Sequence, residues 1–279
     1  MSTELQDRLA LAHRLADLAG TVLRQYFRQP YLPAETKGEE VSAIVTLADQ
    51  EAEDAMVAAI REQFPLDGII REEGADYPSQ SGYAWVLDPI DGTSAFVRGL
   101  PTFGILIGLV DSLGTPLLGI ADQPILGERW QGLWGETSFY QGQPIQNPYG
   151  HSSPLALDQT CLASTTPLMF TTPRQRAIAA HLQNTCRRTA FGGDCYNYLC
   201  LAAGKTAMPL LILEADMKYY DFCALIPILQ GAGASITDWA GRPLTPYSTE
   251  ILAASNPSLH QLALQAIARC PASQGPDDD

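Results

Sequence analysis

Residues 85–96 read WVLDPIDGTSAF, and this stretch decides how the chain is built. It opens with the apolar run Trp85 to Leu87, which is typical of a short buried strand. The strand is expected to end at Asp88, because a proline and a glycine follow within a few residues and turn the chain back. We therefore expect Asp88, Asp91 and Thr93 to lie close together at the carboxyl end of the strand.

Two carboxylates and a hydroxyl held this close favour a hard cation. Neighbouring anions repel each other, and Mg²⁺ relieves that repulsion while preferring carboxylate, carbonyl and hydroxyl oxygens as ligands. The alternative is a plain turn, since Asp-Pro and Asp-Gly are ordinary turn residues. A turn needs only one acid, whereas this stretch has a pair of acids and a threonine behind an apolar strand. The metal site is therefore the favoured interpretation.

Composition limits the class of protein. The chain of 279 residues is 46% hydrophobic and 17% charged, so it can bury a full core in one large domain or two joined lobes. Its formal net charge of −14 argues against nucleic acid or an anionic membrane as the main partner. No apolar run approaches a membrane span, and no signal peptide pattern opens the chain. The 6 cysteines form no CxxC pair, and free thiols in a reducing cytoplasm are expected.

The N-terminal part of the chain carries two helical patterns. Apolar residues recur at helical spacing from Leu5 to Leu23, which predicts a core-facing helix. Residues 30–42 are polar and irregular, and a solvated loop around Lys37 is expected. A second helix is expected to begin near Asp49, for which a plain helix cap is the alternative to a functional role. The acidic pair Glu72–Glu73 follows a likely strand, and such a pair by itself is typical of exposed surface.

Strand patterns dominate the middle of the chain, and strands alternate with helices in the second half. FGILIGLV at 103–110 and PLLGIA at 116–121 predict neighbouring buried strands around a Gly-Thr turn. The alternation farther along predicts an α/β lobe. The expected division is an N-terminal α+β lobe with the metal motif over 1–153, a C-terminal α/β lobe over 154–270, and a disordered tail over 271–279.

Two further positions in the second half are candidates for ligand binding. Gly192 and Gly193 lie between a strand and a helix, where free backbone N–H groups could approach an anion, although a lone Gly-Gly is a weak phosphate signal. Asp221 precedes an apolar helical pattern and is well placed as a helix cap, a role that a metal ligand can share. Pro227 falls inside that helix pattern, and the sequence alone does not explain it.

Together these motifs resemble one family. The pair Glu72–Glu73, the DPIDGT box with Phe96, and Asp221 opening a helix that runs into GAGA at 231–234 are similar to the inositol monophosphatase superfamily of metal-dependent phosphatases. The resemblance covers nearly the whole chain. It implies an α/β (α+β) fold, a layered α/β/α/β/α sandwich of the inositol monophosphatase/fructose bisphosphatase type, and a homodimer.

The resemblance also implies the site residues and the cofactor, which would be Mg²⁺ with two or three ions per site. Thr93 and Glu72 would position and activate a water, and Asp49 would orient Thr93 and help to hold an additional metal. The metal ligands would be Glu72, Asp88, Ile90 through its carbonyl oxygen, Asp91 and Asp221. The substrate-binding residues would be Asp91, Gly92, Thr93, Gly193, Asp194, Glu214 and Asp221.

The chemistry follows from charge. A phosphate monoester dianion repels hydroxide, so metals must neutralise its oxygens, lower the pKa of a water and stabilise the leaving alkoxide. The 4 histidines are scattered, and no serine, cysteine or histidine arrangement for a covalent intermediate is visible. Direct attack by a metal-activated water on a small phosphorylated metabolite is therefore expected.

Two sequence segments resemble one group of enzymes within the superfamily and thereby indicate a substrate. GGDCYNY at 192–198 and EADMKYYDFCALIPIL at 214–229 are more similar to the histidinol-phosphate phosphatases than to the inositol enzymes, which typically carry Trp where this chain has Tyr220. The expected reaction is hydrolysis of L-histidinol phosphate to L-histidinol and phosphate, in histidine biosynthesis. Asp194 and Glu214 are expected to face the leaving group, whose amino cation and imidazole pair with carboxylates; a helix cap is the alternative for Asp194.

Other functions stay open at this point. The chain could be an inositol-1-monophosphatase or another sugar or nucleotide phosphatase of the superfamily. A non-catalytic binding protein with the same fold would be expected to lose a metal carboxylate, and none is missing. Arg71 stands where a glycine is usual in the family. Residues 42–45 lack the Ser-Pro-Val-Thr motif that is common in the family, which leaves the role of Lys37 in doubt.

Overall fold

The computed structural model describes residues 2–29, 42–150 and 156–270, with no side-chain description for 42–46. The helices in these ranges are α1 (Thr3–Tyr26), α2 (Ser42–Gln63), α3 (Thr93–Val97), α4 (Pro173–Thr185), α5 (Asp194–Ala203), α6 (Tyr219–Phe222), α7 (Leu225–Gly231) and α8 (Pro257–Arg269). The strands are β1 (Gly68–Arg71), β2 (Tyr83–Asp91), β3 (Gly104–Asp111), β4 (Pro116–Gln123), β5 (Glu128–Leu133), β6 (Phe139–Tyr140), β7 (Gln143–Pro144), β8 (Cys161–Ser164), β9 (Arg188–Phe191), β10 (Leu210–Glu214), β11 (Ser235–Thr237) and β12 (Ile251–Ala254).

The chain forms two compact units. The first unit comprises Met1–Pro144 and Tyr220–Gly231, and the second comprises Ile145–Tyr219 and Ala232–Asp279. The segment 220–231 thus belongs to the first unit although it follows most of the second along the chain. In the described ranges, no helix combines the length and the apolar character needed to cross a membrane.

Some predictions lie outside the described residues. The loop around Lys37, the predicted lobe boundary at residue 153 and the tail 271–279 belong to this group. The division into lobes over 1–153 and 154–270 therefore stays a prediction.

The first unit is built on a seven-stranded sheet in the order β1 to β7, in which only the β1–β2 pair is parallel. The helices α1 and α2 pack together and share one apolar core with the sheet, to which Leu15, Met56, Leu87 and Ile107 contribute. Burial of these side chains removes apolar area from water and is the main stabilising term of the unit.

The second helix differs from its prediction. Because α2 begins at Ser42, Asp49 lies inside the helix, and the interpretation of Asp49 as a helix cap is wrong. The Asp49 side chain is only 3% exposed. A buried acid inside a helix therefore needs another explanation than capping.

A row of glycines crosses the sheet of the first unit. Gly108 pairs with Gly119, and Gly119 pairs with Gly132, so the three lie side by side on β3, β4 and β5. A Cβ atom on Gly119 would lie 1.9 Å from the carbonyl oxygen of Ala224, and one on Gly132 would lie 2.3 Å from the backbone nitrogen of Ile228. The backbone of segment 220–231 therefore rests directly on the sheet, where side chains would hold it away.

The course of the chain in this segment explains its proline. The predicted single helix after Asp221 is wrong, because the chain forms two short helices, α6 and α7, with a break between them. Pro227 is the third residue of α7, where its missing N–H has no helical partner to lose. Asp221 lies in the first turn of α6 and does not precede the helix.

The second unit has a five-stranded sheet in the order β11-β12-β10-β8-β9. The strands β8, β9 and β10 are parallel, and β12 runs antiparallel to both of its neighbours. Leu182 of α4 and Leu259 of α8 pack with Leu211 and Leu252 in its core. Both units thus combine helices with a sheet, and the predicted mixed α/β class is confirmed.

A buried ion pair joins three parts of the first unit. Arg8 of α1 donates two hydrogen bonds to Asp67, at 2.9 and 2.8 Å, and its guanidinium lies 4.1 Å from the ring centre of Tyr83. Trp85 of β2 donates to the same carboxylate at 3.1 Å. With its charge paired and its oxygens bonded, Asp67 can stay buried.

The glycine row leads to a stability prediction. In Gly119→Ala the new methyl group overlaps the Ala224 backbone, so we expect the free energy of unfolding to fall by about 3 kcal/mol. Urea denaturation measures this loss. Gly127→Ala is the comparison, because a Cβ there meets no atom within 4 Å and adds only the strain of a φ of 67°. Equal losses in the two variants would contradict the role given to the row.

Candidate metal centre

The end of β2 and the turn after it present the central acids. β2 runs through Pro89 to Asp91 with an irregular register between Asp88 and Asp91, so the strand extends beyond its predicted end at Asp88. A proline is tolerated at such an irregularity because no ladder hydrogen bond is needed there. Gly92 has a φ of 88°, a left-handed conformation that favours glycine, and α3 begins directly after it.

The turn also fixes Thr93. Its hydroxyl donates a hydrogen bond of 3.2 Å to the carbonyl oxygen of Ile90. The predicted proximity of Asp88 and Asp91 is observed, because the two carboxylates lie together with that of Asp221. The predicted action of Asp49 on Thr93 stays a prediction.

Two groups of carboxylates lie in the first unit. Asp88, Asp91 and Asp221 each offer an oxygen within 4.8 Å of the others. Asp221 reaches this position because segment 220–231 packs on the glycine row. A second group, with the same 4.8 Å limit, consists of Asp49, Glu72 and Glu73. No site role was predicted for Glu73, whose only signal in the sequence is its position next to Glu72.

Burial and mutual repulsion shift the titration of these acids. Burial, with repulsion from Glu72 and Glu73, raises the pKa of Asp49 to about 8. Burial raises the pKa of Glu72 to about 7, although a hydrogen bond with Asp88 acts in the opposite direction. Burial raises the pKa of Asp88 well above its ordinary value, and the nearby Glu72 and Asp91 charges add to the effect. The two groups of acids are thus electrostatically linked.

The residues fit a divalent cation. Among the described residues, Asp49 Oδ1, Glu72 Oε2 and Asp88 Oδ1 are buried carboxylate oxygens without a hydrogen-bond partner in the structure. Unpartnered buried acceptors are costly, and a hard cation would stabilise all three. Oxygen-only ligands favour Mg²⁺, Ca²⁺ or Mn²⁺ over zinc or copper.

The predicted leaving-group residues lie in the second unit. Gly193, with a φ of 97°, precedes α5, and the helix begins at Asp194 itself, so Asp194 is not the residue at the cap position. Glu214 is only 1% exposed. Its carboxylate accepts hydrogen bonds from the Thr165 N–H at 3.0 Å and from the Tyr198 hydroxyl at 2.7 Å. Burial raises the pKa of Glu214 to about 7.

Comparison with known proteins decides the family. The sequence profile of the inositol monophosphatase family matches residues 4–272. The chain belongs to this family. Its members are metal-dependent phosphatases that act on small phosphorylated substrates, so the protein is a phosphatase, and the resemblance seen in the motifs is confirmed.

Individual relatives carry different names. The chain is 38% identical to the bifunctional phosphatase IMPL2, chloroplastic, of Arabidopsis thaliana over 95% of this chain and 76% of that protein. It is 32% identical to a histidinol-phosphatase of Chlorobaculum parvum over 84% of this chain and 86% of that protein. A solved inositol monophosphatase from Zymomonas mobilis superposes with a TM-score of 0.84 at 40% identity, covering 96% of this chain and 100% of that one.

The buried Glu214 leads to a pH prediction. Its folded-state pKa of about 7 lies above the ordinary 4.5, so its contribution to stability is present at low pH and is lost as the pH rises towards and beyond 7. The glutamine side chain in Glu214→Gln cannot ionise, so this variant does not lose this contribution to stability as the pH rises. We expect the unfolding free energy of Glu214→Gln, relative to that of the original protein, to rise by about 3 kcal/mol from pH 5 to pH 8. Urea titrations at both pH values measure it, and a constant difference would contradict the assignment.

Proposed function

We propose that the protein is a Mg²⁺-dependent histidinol-phosphate phosphatase that hydrolyses L-histidinol phosphate to L-histidinol and phosphate. The observation that carries the phosphatase chemistry is the pair of carboxylate groups around Asp88 and Glu72, with their unpartnered buried oxygens. The choice of substrate rests on the sequence segments 192–198 and 214–229 and on relatives named histidinol-phosphatase.

The cation would be held by residues of the first unit, with two or three ions per site. Bound Mg²⁺ supplies charge for the phosphoryl oxygens, lowers the pKa of a water and stabilises the leaving alkoxide. Its ligands would be Glu72, Asp88, Ile90 through its carbonyl oxygen, Asp91 and Asp221.

Other residues of the first unit handle the attacking water. Thr93 orients it through the hydroxyl that now bonds to the Ile90 carbonyl. Glu72 would accept its proton, a role supported by its unpartnered Oε2. Asp49 would orient Thr93 and contribute to an additional cation with Glu72. Asp91, Gly92 and Asp221 would contact the substrate.

The leaving group is assigned to acids of the second unit. Asp194 and Glu214 would pair with the amino cation and the imidazole of histidinol, while Gly193 would offer its backbone. Support comes from the charge of Asp194, which acts on Glu214 and therefore lies near it. A neutral polyol would gain less from such carboxylates.

The remaining features rest on the family resemblance and on composition. We propose a homodimer in the cytoplasm that acts in histidine biosynthesis. A net charge of −14 argues against nucleic acid or an anionic membrane as partner.

An inositol monophosphatase activity is the second candidate. The observation that favours it is the name of the Zymomonas mobilis structure, which is 40% identical to this chain. Both candidates require the same carboxylate groups and differ only in the leaving group.

Phosphate release separates the two candidates. We expect the purified protein to hydrolyse histidinol phosphate faster than inositol monophosphate, and to release no phosphate without Mg²⁺. Asp194→Asn should raise the KM for histidinol phosphate by roughly tenfold while changing hydrolysis of a small phosphomonoester with an uncharged leaving group little, because one charged partner of the histidinol leaving group is removed. A preference for inositol phosphate, or equal losses with both substrates, would reject the histidinol assignment.

Removal of one acid tests the cation site. Asp91→Asn should lower kcat roughly 100-fold or more, because a direct ligand is lost. The metal-free protein should keep its unfolding free energy or gain slightly, because repulsion with Asp88 is relieved. Asp7→Asn removes an exposed acid of α1 and is the control. Activity of Asp91→Asn within a few-fold of the original would refute the ligand assignment.

A further inference from the structure

Glu53 is a buried acid with no role so far. It is 0% exposed and lies one helical turn after Asp49 on α2, on the same face of the helix. Its Oε1 atom accepts two consecutive backbone N–H groups, from Glu72 at 3.0 Å and from Glu73 at 3.1 Å. The backbone of the acidic pair is therefore tied to the helix that carries Asp49.

Arg71 balances the charge of Glu53. Its Nε donates to Glu53 Oε2 at 2.8 Å, and its side chain is 12% exposed. A Cβ atom on Gly74 would lie 2.1 Å from Nη2 of Arg71, so the loop folds tightly over the guanidinium and a side chain there would displace it. The arginine that stands where the family usually has glycine thus has a partner on α2 and a matching glycine three residues on.

We propose that Glu53 and Arg71 are positioning residues for the carboxylates of Glu72 and Glu73. Asp49, Glu72 and Glu73 repel one another, and free rotation of the loop would let them separate. Two hydrogen bonds from neighbouring N–H groups to one carboxylate orient the peptide groups on both sides of Glu72. Both side chains are thereby kept within ligand distance of Asp49. The inference rests on the cation-dependent function proposed above.

The alternative is that the Glu53–Arg71 pair only stabilises the fold. Arg8 and Asp67 form a comparable buried pair in the same unit, and Asp67 bonds to Ser81 and Trp85 and to none of the six clustered acids. Loss of either pair should lower the thermal midpoint, because each loss leaves an unpaired buried charge. Only the Glu53–Arg71 pair should change the affinity of the folded protein for a cation.

A charge-matched pair of variants tests the inference. Glu53→Ala and Glu53→Gln remove the same charge, but the glutamine carbonyl can still accept both N–H groups. Binding of Mn²⁺ alone, followed by the electron paramagnetic resonance signal of the free ion, should be about tenfold weaker in Glu53→Ala than in Glu53→Gln. Equal affinities in these two folded variants would show that charge, and not position, is what Glu53 supplies, and would overturn the inference.

Gly74→Ala is a second test that changes no charge. The new methyl group meets the flexible end of Arg71, so the protein should fold while the arginine is displaced from Glu53. We expect weaker Mn²⁺ binding in Gly74→Ala and unchanged binding in Asp67→Asn. Unchanged binding in Gly74→Ala would overturn the inference even if Glu53→Ala fails to fold, and so would an equal loss in Asp67→Asn.

The same experiment separates the two levels of the proposal. If the original protein binds Mn²⁺ but does not hydrolyse histidinol phosphate, the substrate assignment fails and the variants still decide the roles of Glu53 and Arg71. If it hydrolyses the substrate and the variants bind Mn²⁺ like the original, only the positioning roles fail. If the unsubstituted protein binds no Mn²⁺, both the proposed cation-dependent function and the positioning roles of Glu53 and Arg71 fail.

Discussion

Repulsion among buried carboxylates is the constraint on which the rest of the first unit depends. Asp49, Glu72 and Asp88 are held in two linked groups, and burial together with repulsion raises the pKa of each. Left alone, such acids would separate or take up protons. The fold must therefore hold them in place with contacts that do not use the oxygens meant for a ligand, and it does so through the backbone.

Two backbone devices serve this purpose. The glycine row lets segment 220–231 lie against the sheet, which brings Asp221 to the end of β2. Glu53 accepts hydrogen bonds from the backbone N–H groups of Glu72 and Glu73. The positive charge of Arg71 pairs with Glu53 and makes its burial tolerable. In both cases small or charged residues outside the proposed ligand set hold the acids that belong to it.

The residues by themselves predicted the local parts of the site, and the family resemblance added Glu72 and Asp221 to them, but neither indicated the contacts through space that hold these acids. The turn after β2 could be predicted, because proline, glycine and two acids lie within a few residues. The close packing of segment 220–231 on the sheet could not, because it depends on glycines of three strands whose register no local pattern reveals. Glu53 was overlooked for the same reason: on the sequence it is one acid among several in a helix, and only the fold brings the 71–74 loop to it.

The distribution of the acids between the units suggests how one family serves several substrates. The carboxylates that we propose for the cation all lie in the first unit, whereas Asp194 and Glu214 belong to the second. Repulsion links the members of the first set, since the charges of Asp91 and Asp221 contribute to the raised pKa of Asp88. Glu214 is bonded instead to Thr165 and Tyr198, neither of which is among those acids. On the proposed assignment, substitutions around Glu214 would change the preferred leaving group and leave the proposed cation ligands as they are, which fits relatives named for histidinol phosphate and for inositol phosphate on one fold.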